Sequence, residues 1–109
     1  MATAAKTVTI SGTVRRTLTD GDEGVVSRVR FQVTAAASLA MDVQATMGAA
    51  GDTPTYAAIV YTNVLSGAEV AVGTDITADG IYECDASGMT IALLPTAGVA
   101  QITYDVLLG

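Results

Sequence analysis

The sequence predicts an all-β fold: an antiparallel β-sandwich of about eight short strands, with the jelly roll as one form of it. Two observations carry this. Apolar residues recur with a period of two along most of the chain, and Gly- and Asp-rich turn signals separate the periodic stretches at short, regular intervals. Short strands spaced this way pair most readily into a closed or two-layered β architecture.

The elements follow in order. In "KTVTISGTVR", Val8, Ile10 and Val14 share one face, with Thr7, Thr9, Ser11 and Thr13 on the other. "TDGDEG" then marks a turn. In "SRVRFQV", Val29, Phe31 and Val33 alternate with Arg28, Arg30 and Gln32. In "SLAMDVQATM", Leu39, Met41, Val43, Ala45 and Met47 alternate with Ala40, Asp42, Gln44 and Thr46. This last stretch also fits an Ala-rich helix, with Leu39, Val43 and Met47 stacked at i, i+4. The alternation is the cleaner pattern and predicts a strand. "QITYDVLL" places Ile102, Tyr104, Val106 and Leu108 on one face. All of these are half-buried strands.

"TYAAIVYTNV" (55–64) and "MTIALL" (89–94) are apolar on both faces and predict strands covered twice, once by the core and once by a loop or a neighbouring subunit. "GAAGDTP", "LSGAE", "VGTD", "ADG", "DASG" and "TAG" supply the remaining turns. There Gly takes positive φ, and Asp or Asn bonds back to the backbone. The expected organisation is one domain over 1–109, with residues 1–6 as a flexible or partner-bound arm.

Composition narrows the function. Only 15% of the 109 residues are charged, and Ala, Thr, Ser and Gly stand where Lys and Glu usually cover a small domain. Low charge avoids desolvation cost at large contacts, so the chain is expected to work packed against partners. All five basic residues (Lys6, Arg15, Arg16, Arg28 and Arg30) precede residue 31, beside three acids, and the rest of the chain has eight acids and no Lys or Arg. The asymmetry predicts electrostatic docking. Five basic residues in a chain of net charge −6 make a poor phosphate footprint, so nucleic acid is not an expected partner.

Reactive chemistry is sparse. There is no His, no nucleotide-binding glycine fingerprint and a single cysteine, Cys84. The familiar hydrolase triads and a zinc site therefore lack their parts. Glu83 and Asp85 flank Cys84 and would raise its pKa, so the expected role of the thiol is a small buried core group. One cysteine forms no intrachain disulfide, which suits a reducing cytoplasm. No secretory signal and no apolar run of membrane-spanning length is expected. Asp20, Asp22 and Glu23 have a calcium-like spacing, but no bidentate acid follows at the EF-hand's last position, and a solvated hairpin turn is the plainer reading. The expectation is a non-enzymatic protein with no cofactor. Without Trp, a sugar-binding role lacks its usual stacking platform.

"ITADGIYECDASGM" carries Asp79, Gly80, Tyr82, Asp85, Ser87 and Gly88, followed by "MTIALLP", "TAG" and "VAQITYDVLLG". This run resembles a pattern in small virion structural proteins of tailed bacteriophages, in which a DG-aromatic turn and an SG turn precede two final strands. The resemblance covers about residues 55–109. Those relatives often have an Arg-rich strand after the SG turn, where this chain has "MTIALLP". The resemblance implies a capsid decoration, or cement, protein on the outer surface of the virion, assembled in the host cytoplasm. Its partners would be the major capsid protein and further copies of itself, as a trimer first of all. A tail or head-fibre module with an adhesin role, and a small calcium- or glycan-binding domain, are the alternatives. On this reading Arg15, Arg16, Arg28 and Arg30 form the docking patch, and Tyr56, Ile59 and Tyr61 form the subunit contact. The same residues also fit solvated strand faces and ordinary core, respectively.

Overall fold

The computed structural model describes residues 6–19, 26–47, 55–86 and 89–108. It is all-β and antiparallel, as expected. The strands are β1 (Lys6–Ser11), β2 (Arg16–Thr17), β3 (Val26–Thr46), β4 (Ala57–Ala58), β5 (Tyr61–Asn63), β6 (Ala68–Val70), β7 (Gly80–Asp85) and β8 (Thr90–Leu108). All eight belong to one hydrogen-bonded sheet in the order β1-β8-β3-β7-β5-β6, with β2 added to β8 and β4 to β3. The strands are not uniformly short: β3 runs for 21 residues and β8 for 19.

These lengths force a bend. A straight 21-residue strand would span roughly 70 Å at about 3.3 Å per residue, whereas the longest dimension of the molecule is 34 Å. The two long strands pair with each other throughout and fold together near their middles. The register slips between Thr34 and Ala37, between Ala37 and Ala40, and between Ala40 and Met41. At the first two slips β3 uses three residues against two on β8, and at the third β8 uses two against one. Each slip is a β-bulge, which bends and twists the ladder locally.

The bulges also explain the inward faces. Two extra residues on β3 preserve parity, so Val29, Phe31 and Val33 before the bend, and Leu39, Met41, Val43 and Ala45 after it, all point inward and are buried. One extra residue on β8 reverses parity. Its inward set is Ile91, Leu93 and Pro95 before the bend, and Ala100, Ile102, Tyr104 and Val106 after it. The halves become two arms that close on one apolar cluster. The long arm is β1, the C-terminal half of β8, the N-terminal half of β3, then β7, β5 and β6. The short arm is β2, the other halves of β8 and β3, and β4.

The corner has its own chemistry. Ala35, Ser38 and Gly98 all have positive φ (55, 52 and 79). Where β1 gives way to β2 along the same line, Gly12 does too (φ 63). The Asp79 carboxylate accepts a hydrogen bond from the Ala36 amide at 2.9 Å, and the Thr96 hydroxyl donates to the Ala40 carbonyl at 3.2 Å. Backbone groups that the bulges remove from the ladder are satisfied in this way. Pro95, which has no amide proton, sits at one of the slips, where a strand interior tolerates it.

Four expectations change. The segment over 38–47 is strand, but Met47 lies beyond its end and is 80% exposed. Val14 does not join the inner face: β1 stops at Ser11, Gly12 turns the chain, and Val14 is 64% exposed. "TAG" is no turn between strands but a bulge inside β8. "TYAAIVYTNV" is not one doubly covered strand, because the chain crosses there from the short arm to the long arm. Ala57 and Ala58 pair with β3, the Ile59 amide donates to the Val43 carbonyl, and Tyr61–Asn63 then pair with β6 and β7. "MTIALL" keeps its expectation, with Thr90, Ile91, Ala92 and Leu93 all buried.

A Cβ on Gly98 would stand 2.3 Å from the Ser38 carbonyl oxygen and 2.5 Å from that of Ala37, both backbone atoms. Gly12 has the same handedness with nothing within 4 Å. Gly12→Ala is therefore expected to cost about 1 kcal/mol, the backbone term alone, and Gly98→Ala about 3 kcal/mol, with the clash added. Urea denaturation of the two variants measures the difference, and equal losses would contradict a close approach at the corner.

Candidate docking surface

The four arginines do not form one patch. Arg28 and Arg30 lie on the outward face of β3 in the long arm, while Arg15 and Arg16 lie at β2, on the short arm. β3 pairs with β7 so that Arg28 is opposite Asp85 and Arg30 opposite Glu83, with Asp105 of β8 on the other side of Arg30. Glu83 sits under both guanidinium groups. Its carboxylate is 2.6 Å from Arg28 and accepts from the Arg30 Nε at 2.8 Å and Nη2 at 2.5 Å. The Glu83 side chain is only 9% exposed, against 55% and 54% for the two arginines. Charge-assisted bonds of this length are the strong kind, and the two cations are committed to a buried anion of their own chain. Across the long arm a row runs Asp105, Arg30, Glu83, Thr62 and Glu69, one residue per strand. This outer face is mixed in sign where the sequence pointed to a basic one.

Arg15 is also engaged. Its guanidinium lies 4.1 Å from the centre of the Tyr56 ring, and its Nε donates to the Gln44 side-chain oxygen at 3.0 Å. Gln44 in turn donates to Asp42 at 3.0 Å. The cation–π contact holds Tyr56 half-buried against β3. Arg16 is exposed on β2. Ile59 is half-buried against the core cluster. Tyr61 is a core residue: its hydroxyl donates to the Thr74 carbonyl at 2.8 Å, and its ring meets Tyr82 edge-on at 5.7 Å. Of the three apolar contact residues read from the sequence, Tyr56 and Ile59 keep part of their surface and Tyr61 keeps almost none. Asp20, Asp22 and Glu23 lie outside the described residues, and among the described residues no three His, Cys, Asp or Glu side chains converge as a metal site would require.

The "DG-aromatic" motif has a structural role. Asp79 holds the corner amide of Ala36, and Tyr82 packs on Phe31 with ring centres 5.7 Å apart while its hydroxyl donates to the Ala78 carbonyl. Ser87 and Gly88, the motif's other end, lie outside the described residues. Sequence reasoning missed Glu83 as the partner of the arginines. Period two along "IYECD" does set it on the face opposite to Tyr82 and Cys84, but which strand it would meet is a matter of long-range pairing.

Two depressions mark the outer face of the long arm. One, of about 180 Å³, is lined by Arg30, Gln32, Ile81, Thr103 and Asp105 among others. The second, of about 160 Å³, is lined by Arg28, Val60, Thr62, Glu69 and Asp85 among others. Both fall below the roughly 300 Å³ at which small-molecule pockets begin.

Two expectations follow. Changing Arg28 and Arg30 together to Glu strands the buried Glu83 carboxylate beside new acids. The expected loss is about 3 kcal/mol, at the low end for a broken buried pair because water reaches both arginines. Adding Glu83→Gln recovers much of it. Urea midpoints of the double and triple variants measure this, and a loss indistinguishable from zero would contradict the pairing. The second concerns high pH. Burial, helped by Asp85 and Glu83 and opposed by Arg28, raises the Cys84 thiol from 9.0 to about 12. Burial, with Tyr82, Asp75 and Asp42, raises Tyr61 from 10.0 to about 12. Both groups ionise earlier in the unfolded chain, so stability is full below pH 9 and is lost as pH rises toward 12. Cys84→Ala is expected to flatten the first part of that decline in pH-dependent melting, and an unchanged slope would contradict the thiol's share.

No protein-family model matches the chain, and no curated protein matches it. Among solved structures, the fold is similar to that of the crystal structure of the SPBc2 prophage-derived protein YomS, with a TM-score of 0.60 and 12% sequence identity over 95% of each chain. At that identity the likeness is one of fold.

Proposed function

We propose that this chain is a non-enzymatic structural part of a bacteriophage particle and, within that class, a capsid decoration protein that binds the outside of the head and bridges shell subunits. The observation that carries the reading is the fold shared over 95% of both chains with a prophage-derived protein. The likeness covers nearly the full length of both chains and not one common hairpin. The surface supports it. Shallow depressions and a mixed-sign charge row suit a partner surface that brings its own charges in register. A particle supplies many identical contacts, so each can be modest.

Arg16 is an exposed basic residue through which docking can be tested without disturbing Glu83 or the Arg15–Tyr56 contact. The purified protein is expected to co-sediment with empty heads of the phage that encodes it, saturating at a copy number set by shell symmetry. Arg16→Glu is expected to weaken that binding by about tenfold, the worth of one rim charge pair of about 1.4 kcal/mol. Failure to bind heads under conditions where it binds tails or fibres would move the protein to those parts of the particle. Binding to neither would overturn the virion reading.

A further inference from the structure

The edge of the long arm formed by β1 presents an unpaired ladder. β1 pairs with β8 through six consecutive residues, Lys6 with Tyr104 to Ser11 with Val99, without a register slip. Among the described residues, nothing pairs with its other side. Thr7, Thr9 and Ser11 are exposed on the outer face, and Val8 is only half-buried although it packs on the core. Natural sheets blunt such edges with prolines, bulges, short strands or charges placed along them. The opposite edge obeys this: β6 is three residues long and has Glu69 at its centre. β1 has none of these devices in its body, and its one charge, Lys6, stands at its first residue.

We infer that the β1 edge is the site at which a second copy of this chain docks, β1 against β1 and antiparallel about a two-fold axis, so that the long arms of two copies form one continuous sheet. The strand is complementary to itself. Antiparallel pairing centred on Val8 or on Thr9 keeps Val8 and Ile10 of both copies on the core side and the threonines on the outer side. It covers the exposed part of each Val8 and sets Thr against Thr, a favourable cross-strand pair. The charges agree: antiparallel pairing puts the two Lys6 side chains at opposite ends, and no like charges meet in between. A six-residue strand pair is small beside the roughly 1,600 Å² of a standard interface, so the pair forms in a concentration-dependent way. This contact does not rest on the virion reading, and it gives a two-fold pair where the resemblance to decoration proteins implies a trimer.

Thr9 tests it, because both registers bring the two Thr9 side chains together on the outer face, directly or diagonally. It is exposed and opposite the neutral Gln101 of β8, so a charge there leaves the fold intact, which melting curves verify. In sedimentation equilibrium at high protein concentration, the wild type is expected to rise toward twice its 11.0 kDa mass. Thr9→Asp and Thr9→Lys are each expected to stay monomeric, and an equimolar mixture of the two to recover the doubled mass. A wild type that stays monomeric, one that forms a trimer, or a dimer indifferent to charge at Thr9 would overturn the assignment. None of these results depends on binding to heads.

Discussion

Two paired strands can turn a sharp corner only by taking residues out of register, and every residue taken out must settle its backbone polar groups elsewhere. In this chain the cost falls on a few side chains and one glycine. Gly98 lets the backbone of β8 pass within van der Waals limits of the Ala37 and Ser38 carbonyls. Asp79 receives the freed Ala36 amide and Thr96 serves the Ala40 carbonyl. From this corner the rest follows. It turns one sheet into two arms and keeps inward parity at odd positions of β3 on both sides of the bend, from Val29 to Ala45. It reverses parity within β8, and so decides which side chains form the core.

The same pairing explains the sparse charge. A six-stranded outer face joined to an inner apolar face leaves room for few free ions, and the chain spends its central ones on each other. Glu83 is almost buried under Arg28 and Arg30, so three of the sixteen charged residues in the sequence settle the local field of the sheet instead of reaching outward. A carboxylate in that position is stabilised only while both arginines stay, which makes it a register lock between β3 and β7. A one-residue slip would turn Glu83 toward the core and leave the arginines facing Cys84 and Tyr82.

The strands and their inward residues were legible in the sequence because period two is a local property: Val29, Phe31, Val33, Met41, Val43, Ile102 and Tyr104 are all where alternation put them. What the alternation could not show was continuity. The stretches 28–33 and 38–47 look like two strands because alternation lapses between them, and "TAG" looks like a turn because Gly at positive φ serves a turn and a bulge equally well. The candidate surface was less legible still. Arg28 and Arg30 read as free cations because Glu83 is over fifty positions away, and Tyr61 read as a contact residue because its hydroxyl's partner, Thr74, lies beyond the next strand, β6. A local pattern tells a strand's two faces apart, but it does not say what the outer face meets.

That distance has a consequence for how the fold assembles. The Ser27 hydroxyl bonds to the Leu107 carbonyl 80 residues on, and Thr96 bonds back to Ala40 over 56. Pairing β3 with β8 closes most of the chain into a loop before it gains any core, so the entropic cost comes first and folding is slow for a domain of this size. Until β8 arrives on one side and β4 and β7 on the other, β3 exposes the edges of a 21-residue apolar-alternating strand. Positive charge at Arg28 and Arg30 on that strand, unmatched until Glu83 joins it, keeps unpaired β3 strands of different molecules apart. The arginines thus repel while the chain is open and attract once it is closed. The segment most prone to mispair thus carries its own repulsion, and the edge left free at the end is the one that pairs with itself about a two-fold axis, which closes the assembly at two copies.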